Sequence, residues 1–178
     1  MSIDIGLIYN QYVNNLFTYG LYLGFDEDTV KDAIQDVFVK ITTESHKLSD
    51  ISNIKFYLFR ALKNRLLDIH KNQKRHTGLE GIDNNYEVPF TIQVNVEGLM
   101  IEAEEQLQIK AEIQQMLGSL TPRQREIIYL RYVQEYDYEQ IAELLQISVH
   151  GCRKLVSKAM LSLREKFGTL TLLLTLLT

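Results

Sequence analysis

The sequence has 178 residues, a hydrophobic fraction of 46%, a formal net charge of −4 and a pI near 5.6, which allow one or two compact cores. Its only cysteine, Cys152, excludes an intramolecular disulfide and a multi-cysteine zinc site. Four scattered histidines (His46, His70, His76 and His150) and the lack of a glycine-rich phosphate loop predict no metal, no cofactor and no enzyme activity.

Helical spacing of apolar side chains dominates the first 75 residues. Apolar residues recur every three or four positions over 8–23 and over 30–41, which predicts two amphipathic helices. Gly24 and the acidic residues 26–28 lie between them and predict a helix end and a new helix start. The polar, turn-prone segment 43–53 predicts a loop.

A third helix is predicted to begin near Ile54, and its two faces differ in character. One face is apolar and carries Leu58, Leu62, Leu66 and Ile69. The other is polar and basic and carries Arg60, Lys63, Asn64, Lys71 and Lys74. Residues 60–76 contain six basic side chains and one acidic side chain, a local charge of +5.

Periodicity fails after residue 76, where glycines, Asp83-Asn84-Asn85 and Pro89 interrupt the chain. We assign 77–106 to an interdomain linker, although helical spacing resumes near Leu99. This part of the chain is acidic, since residues 78–118 carry eight acidic side chains and one lysine, a charge of −7. It therefore separates the basic segment 60–76 from a second one, 153–166, with a charge of +4.

Three closely spaced helices are predicted after Gly118. Thr121 is the expected N-cap of the first, with Pro122 at the first helical position. Asp137 opens the second as part of a capping box with Gln140, and Ser148 caps the third. The third helix has an apolar stripe that includes Cys152 and an opposite face with His150, Arg153, Lys154, Ser157 and Lys158. This pattern predicts a DNA-binding helix-turn-helix, and the alternative is a plain helical hairpin with a solvated basic face.

The segments Leu120–Glu126, Tyr138–Leu145 and Ile147–Val149 resemble region 4 of the sigma-70 family of transcription initiation factors. The resemblance implies that the third helix binds the promoter −35 element. Its expected DNA-binding residues are Ser148, His150, Arg153, Lys154, Ser157 and Lys158. Residues 150–152 and Leu155 depart from the common family sequence, so the promoter sequence does not follow.

The segment Asp32–Phe38 resembles the D-x-x-Q-(D/E)-x-F element of the same family, which binds the clamp helices of the polymerase β′ subunit. The implied polymerase-binding residues are Asp32, Gln35, Asp36 and Phe38. By spacing alone, a merely solvated helix face is the favoured interpretation of the three polar residues. The presence of the region 4 motif in the same chain favours polymerase binding instead.

The segment Tyr57–Asn64 resembles the family helix that captures the melted −10 element, with loop 43–53 selecting a base by resemblance only. An aromatic ring and an amide beside basic residues suit an unstacked base, although an aromatic at helical spacing is more often a core residue. The implied −10 DNA-binding residues are Tyr57, Arg60, Lys63, Asn64, Lys71 and Lys74.

These observations predict an all-α protein with two helical domains, 1–76 and 107–168, followed by an apolar tail, 169–178. The short connection between the domains favours the extracytoplasmic-function (ECF) type of sigma factor. We expect the chain to be cytoplasmic. The resemblance implies that it binds promoter DNA and core RNA polymerase, at the β′ clamp helices and the β flap. Other hypotheses are an anti-sigma factor as a partner and packing or self-association through the tail. The alternative function is a helix-turn-helix regulator that is not a polymerase subunit.

Overall fold

The structure, a computed structural model, describes residues 4–43, 51–76, 88–94 and 103–168. The helices in these ranges are α1 (Ile5–Tyr22), α2 (Glu27–Thr43), α3 (Ile54–His76), α4 (Ala103–Gly118), α5 (Pro122–Ile128), α6 (Tyr138–Leu145) and α7 (Val149–Phe167). No strand occurs in the described ranges, and the predicted all-α class is confirmed. The chain divides into two compact units, Met1–Tyr86 and Glu87–Thr178. The apolar tail 169–178 and loop residues 44–50 lie outside the described residues.

In the N-terminal unit, α1, α2 and α3 pack against one another around buried apolar side chains. Gly20 allows α1 to approach α2 closely, because a Cβ atom there would lie 2.6 Å from Cγ1 of Val30. Gly24 follows α1 with a φ of 83°, a conformation that glycine adopts without strain. The Asp26 carboxylate then accepts a hydrogen bond of 2.9 Å from the Thr29 amide and caps the start of α2.

In the C-terminal unit, the predicted caps fix where the helices begin. Thr121 forms a capping box with Gln124 at the start of α5, and Asp137 forms one with Gln140 at the start of α6. The sequence predicts a single helix from Pro122 to Gln134, but α5 continues after Ile128 as a π-helical turn, Tyr129–Val133. α6 and α7 are joined by a short turn in which Gln146 has a φ of 53°. The helix-turn-helix arrangement is present.

Residues 88–94, which we call the strap, were predicted to be part of a linker but pack against the C-terminal unit. Val88 and Phe90 are buried, and the Phe90 ring lies 5.5 Å from the Tyr129 ring. Nε of Arg125 donates a hydrogen bond of 2.6 Å to the Phe90 carbonyl oxygen. The strap belongs to the C-terminal unit, and α4 already begins at Ala103. Two parts of the predicted linker 77–106 are therefore folded. In the strap, burial of the apolar Phe90 outweighs the turn-forming residues around it, and Ala103–Gln106 already form the first turn of α4.

Arg125 also connects the strap to the last turn of α4 and to the turn that follows it. Its Nη1 donates to the carbonyl oxygens of Leu117, at 3.2 Å, and Leu120, at 2.6 Å. Burial lowers the pKa of the Arg125 guanidinium from its ordinary value, although an arginine stays charged in proteins. The motif arginine that follows Gln124 is thus a structural residue, which holds three backbone carbonyls in one place.

Candidate nucleic-acid and polymerase interfaces

The outer face of α2 presents the polar residues of the N-terminal motif. Asp32, Gln35 and Asp36 are exposed and, at spacings of three and four, lie on one side of the helix. Val39 occupies the next position on the same side and is 62% exposed. Val39 was not among the predicted site residues, although its spacing of three from Asp36 places it on this side of the helix. The α2 face therefore combines carboxylates and an amide with one apolar side chain.

Phe38 does not share this face, which corrects its prediction as a polymerase-binding residue. Its side chain is buried, and its ring lies 5.0 Å from that of Tyr9 in an edge-on arrangement. Phe38 follows the core residue Val37 on the inner side of α2. The motif aromatic is therefore a packing residue that holds α2 against α1.

The outer face of α3 lines a cleft of about 540 Å³ in the N-terminal unit. Tyr57, Arg60 and Asn64 line it from successive turns of α3. The remaining lining residues are Asp36, Val37, Lys40, Ala61, Arg65 and Asp68. Lys71 lies farther along α3 and is exposed. Lys74 is also part of α3, but the structure does not describe its side chain. The cleft thus brings together an aromatic ring, an amide and guanidinium groups.

Lys63 is the exception among the predicted −10 residues and requires a correction. Its side chain is only 4% exposed, so it does not lie on the outer face. Phe59, Leu62 and Leu66 are fully buried beside it, which shows that the inner face of α3 is wider than the predicted apolar stripe. A lysine can occupy such a position because its aliphatic stem packs with apolar neighbours.

An ion pair connects α2 and α3 at the cleft. Nε and Nη2 of Arg65 both lie 2.7 Å from Oδ2 of Asp36. Asp36 was predicted to bind polymerase, whereas Arg65 was not among the predicted site residues. No spacing within a single helix signals this pair, since the two residues are 29 positions apart.

The outer face of α7 carries the predicted −35 residues together. His150, Arg153, Lys154, Ser157 and Lys158 are all exposed. The opposite face packs Cys152, Val156, Ala159 and Leu163 into the unit. Ser148 is exposed at the start of the helix, where its hydroxyl accepts a hydrogen bond of 3.0 Å from the Gly151 amide. Its first role is therefore that of the N-cap.

An aromatic ring on α6 contacts an arginine of the α7 face. The Arg153 guanidinium lies 5.6 Å from the centre of the Tyr138 ring, and that of Arg131 lies 5.2 Å from the same ring. Arg131 is itself held by a hydrogen bond of 2.9 Å to the Tyr136 carbonyl oxygen. Cation–π contact with Tyr138 therefore orients Arg153, one of the side chains predicted to contact DNA.

Other kinds of site receive no support from the described residues. No group of three or more His, Cys, Asp or Glu side chains among them is placed to hold a metal ion. Cys152 is buried, and burial raises the pKa of its thiol, which disfavours the reactive thiolate. None of the described helices is long and apolar enough to cross a membrane.

The chain is similar to known sigma factors. The family model described as Sigma-70, region 4 matches residues 110–163, which include α5, α6 and most of α7. The ECF RNA polymerase sigma factor SigM of Bacillus subtilis is 22% identical over 173 residues, covering 94% of this chain and 96% of that protein. The ECF RNA polymerase sigma factor SigX of the same organism is 25% identical, with coverages of 90% and 85%.

The chain is therefore similar along most of its length to ECF sigma factors, and residues 110–163 match region 4 of the sigma-70 family. These similarities support a role in transcription initiation with RNA polymerase. Two solved structures share its fold at 20% identity. One is RpoE in complex with the anti-sigma factor NepR from Bartonella quintana, with a TM-score of 0.59 and coverages of 91% and 95%. The other is CnrH in complex with the cytosolic domain of CnrY, with a TM-score of 0.50 and coverages of 90% and 85%.

Proposed function

We propose that this sigma factor binds core RNA polymerase through the outer face of α2 and reads promoter DNA through two surfaces. The −10 surface is the cleft beside α3, and the −35 surface is the outer face of α7. The observation that carries the proposal is the exposed α7 face, which presents His150, Arg153, Lys154, Ser157 and Lys158 on the second helix of a helix-turn-helix.

The α7 face suits duplex DNA because its residues divide into two chemical kinds. Lys154 and Lys158 are exposed cations, one turn apart, that can neutralise phosphates without reading sequence. His150 and Arg153 lie closer to the N-terminal end of α7, the end that reaches base edges in helix-turn-helix proteins. Arg153 is a suitable reader of guanine, since its guanidinium can donate two parallel hydrogen bonds.

The α3 cleft suits a single strand rather than a duplex. Tyr57 offers a ring on which an unstacked base can stack, and Asn64 offers an amide that can both donate and accept hydrogen bonds. Arg60 and Lys71 are exposed cations on the same helix that can follow the phosphate backbone. We infer that the melted −10 strand lies along this side of α3.

The α2 face suits a protein partner. Asp32, Gln35 and Asp36 are polar and exposed, and Val39 adds an apolar contact at one end. Interfaces of this composition gain specificity from the charges and affinity from apolar groups that become buried. Because of the family resemblance, we assign this face to the β′ clamp helices and the C-terminal unit to the β flap.

The two solved neighbours are in complex with an anti-sigma factor and with the cytosolic domain of CnrY, respectively. We propose an anti-sigma partner for this chain too.

Asp32→Arg tests the polymerase assignment without breaking the Asp36–Arg65 ion pair. Charge reversal should weaken binding to core polymerase at least tenfold, because one attractive polar contact becomes repulsive. Glu165→Arg, the same change on an exposed residue of α7, is the control and should leave core affinity unchanged. Equal core affinities for the Asp32→Arg protein and wild type would exclude this face.

Simultaneous alanine substitution of Arg153, Lys154 and Lys158 tests the α7 surface. Promoter affinity should fall, and each lost phosphate contact should reduce the slope of log affinity against log salt by about 0.9. Lys166→Ala, in the last turn of the same helix, is the control for a cation outside the proposed surface. Unchanged promoter binding by the triple variant would remove α7 as the recognition helix.

A further inference from the structure

The Asp36–Arg65 ion pair joins two surfaces that have different proposed partners. Asp36 is exposed on the α2 face, which is assigned to polymerase, whereas Arg65 lies on α3, the helix assigned to the −10 strand. Both side chains line the cleft that Tyr57 and Asn64 also line. A partner that engages one member of the pair therefore changes what the other member can do.

The charged groups of the pair are close together, but both side chains are partly exposed to water. Two guanidinium nitrogens of Arg65 share one carboxylate oxygen of Asp36, each at 2.7 Å. The side chains are 43% and 50% exposed, respectively. Ion pairs with this exposure contribute little net stability, because water solvates the separated charges well. The pair can therefore exchange for other partners without unfolding the unit.

We propose that Arg65 is a further DNA-contacting residue of this sigma factor and that Asp36 withholds it until core polymerase engages the Asp36 carboxylate. This inference rests on the proposed function of the α2 and α3 surfaces. In the free protein, the Nε–H and an Nη2–H of Arg65 are committed to Asp36, and a carboxylate stands where a phosphate would have to approach. Polymerase contact with Asp36 removes both obstacles.

The ligand released Arg65 would take is a phosphate of a single DNA strand. Guanidinium groups bind phosphate through paired N–H donors, and Arg60 in the same cleft adds a second cation. Coupling of this kind is reciprocal, so DNA bound to Arg65 should also strengthen polymerase binding at Asp36. The pair would thus favour DNA capture by the polymerase-bound factor over capture by the free factor.

Asp36→Asn in the free protein gives the most direct test. The probe is a fluorescein-labelled single-stranded oligonucleotide of mixed sequence, followed by anisotropy over a salt series. The variant should bind about threefold to tenfold more tightly than wild type, the gain expected of one ordinary hydrogen-bonded contact. Its salt slope should steepen by about 0.7, the value for one phosphate contact on a single strand.

Two further variants separate release of Arg65 from simple loss of a negative charge. Asp68→Asn removes the same charge from the same cleft, so it should give a smaller gain and no steeper slope. Relative to Arg65→Gln alone, the double variant Asp36→Asn with Arg65→Gln should gain no more affinity than Asp68→Asn gains relative to wild type. The proposal is overturned if Asp36→Asn shows no binding or no more gain than Asp68→Asn, or if its full gain persists without Arg65.

The polymerase-bound factor provides the complementary measurement. Arg65→Gln should weaken promoter binding by the polymerase complex about threefold to tenfold. It should weaken binding of the oligonucleotide by the free factor less, because there the guanidinium is already paired with Asp36. Binding of wild-type chain to core polymerase without DNA is measured separately. Failure of that binding refutes the proposed function, whereas normal binding with an unaffected Arg65→Gln complex refutes this inference alone.

Discussion

Phe90→Ala should destabilise the C-terminal unit although it lies outside every helix. The side chain is fully buried against Tyr129, and truncation of a core phenylalanine typically costs about 3–5 kcal/mol. The Phe90 carbonyl still accepts its hydrogen bond from Arg125 after the substitution, so the backbone of the strap stays attached. We therefore expect a loss near 3 kcal/mol, which lowers the melting temperature of a unit of this size by roughly 12 °C or more.

Hydrogen–deuterium exchange in the full-length protein can assign this loss to one unit. Amides of α5, α6 and α7 should lose protection, whereas those of α1, α2 and α3 should not, because the known contacts of Phe90 lie in the C-terminal unit. Thr91→Ala is the matched control, an exposed neighbour that should change stability by less than about 0.5 kcal/mol. A Phe90→Ala protein as protected as this control would show that the strap is not part of the fold.

Three further predictions concern single side chains. Tyr138→Leu should weaken binding to promoter duplex roughly two- to fivefold because the ring no longer orients Arg153, whereas Tyr138→Phe should retain wild-type affinity; equal losses would contradict the cation–π explanation. At neutral pH the Cys152 thiol should react slowly with Ellman's reagent in the native protein and rapidly in urea, because it is buried and its pKa is raised, so fast native reaction would contradict its placement. Hydrogen bonds from the Thr29 amide and hydroxyl lower the pKa of Asp26, so its stabilising effect is present above the ordinary aspartate range and is lost as pH falls through the lowered folded-state value. The difference in unfolding free energy between wild type and Asp26→Ala should shrink over that window, and a pH-independent difference would be inconsistent with this.

Helix starts could be predicted from the sequence because capping acts over a few residues. Thr121, Asp137 and Ser148 each accept a backbone hydrogen bond from three positions ahead, as their side chains and local sequence indicated. The outer faces of α2, α3 and α7 could be predicted from the helical repeat, which also depends only on residues close together in the sequence. Local geometry therefore accounts for most of the candidate surfaces.

Contacts between distant segments could not be predicted in this way. Periodicity gives the direction of a helix face but not its width, so Lys63 was placed outside when the buried face of α3 includes it. A single phenylalanine in a turn-rich stretch carries no periodic signal, and so the burial of Phe90 was missed. The Asp36–Arg65 pair depends on how α2 packs on α3, which only the folded chain shows. Phe38 matched a functional motif, yet its side chain belongs to the core.

Transcription in vitro tests the central proposal most directly. Core RNA polymerase is supplied with fragmented genomic DNA of the source organism, with and without the purified chain, and the 5′ ends of the transcripts are sequenced. A sigma factor should cause core polymerase to start at a defined set of sites that share two upstream elements at fixed spacing, and both Asp32→Arg and the α7 triple variant should abolish those starts. The proposed sigma-factor function would be contradicted if the chain bound duplex DNA at specific sites but core polymerase still showed no specific starts. That result is expected of a regulator that is not a polymerase subunit.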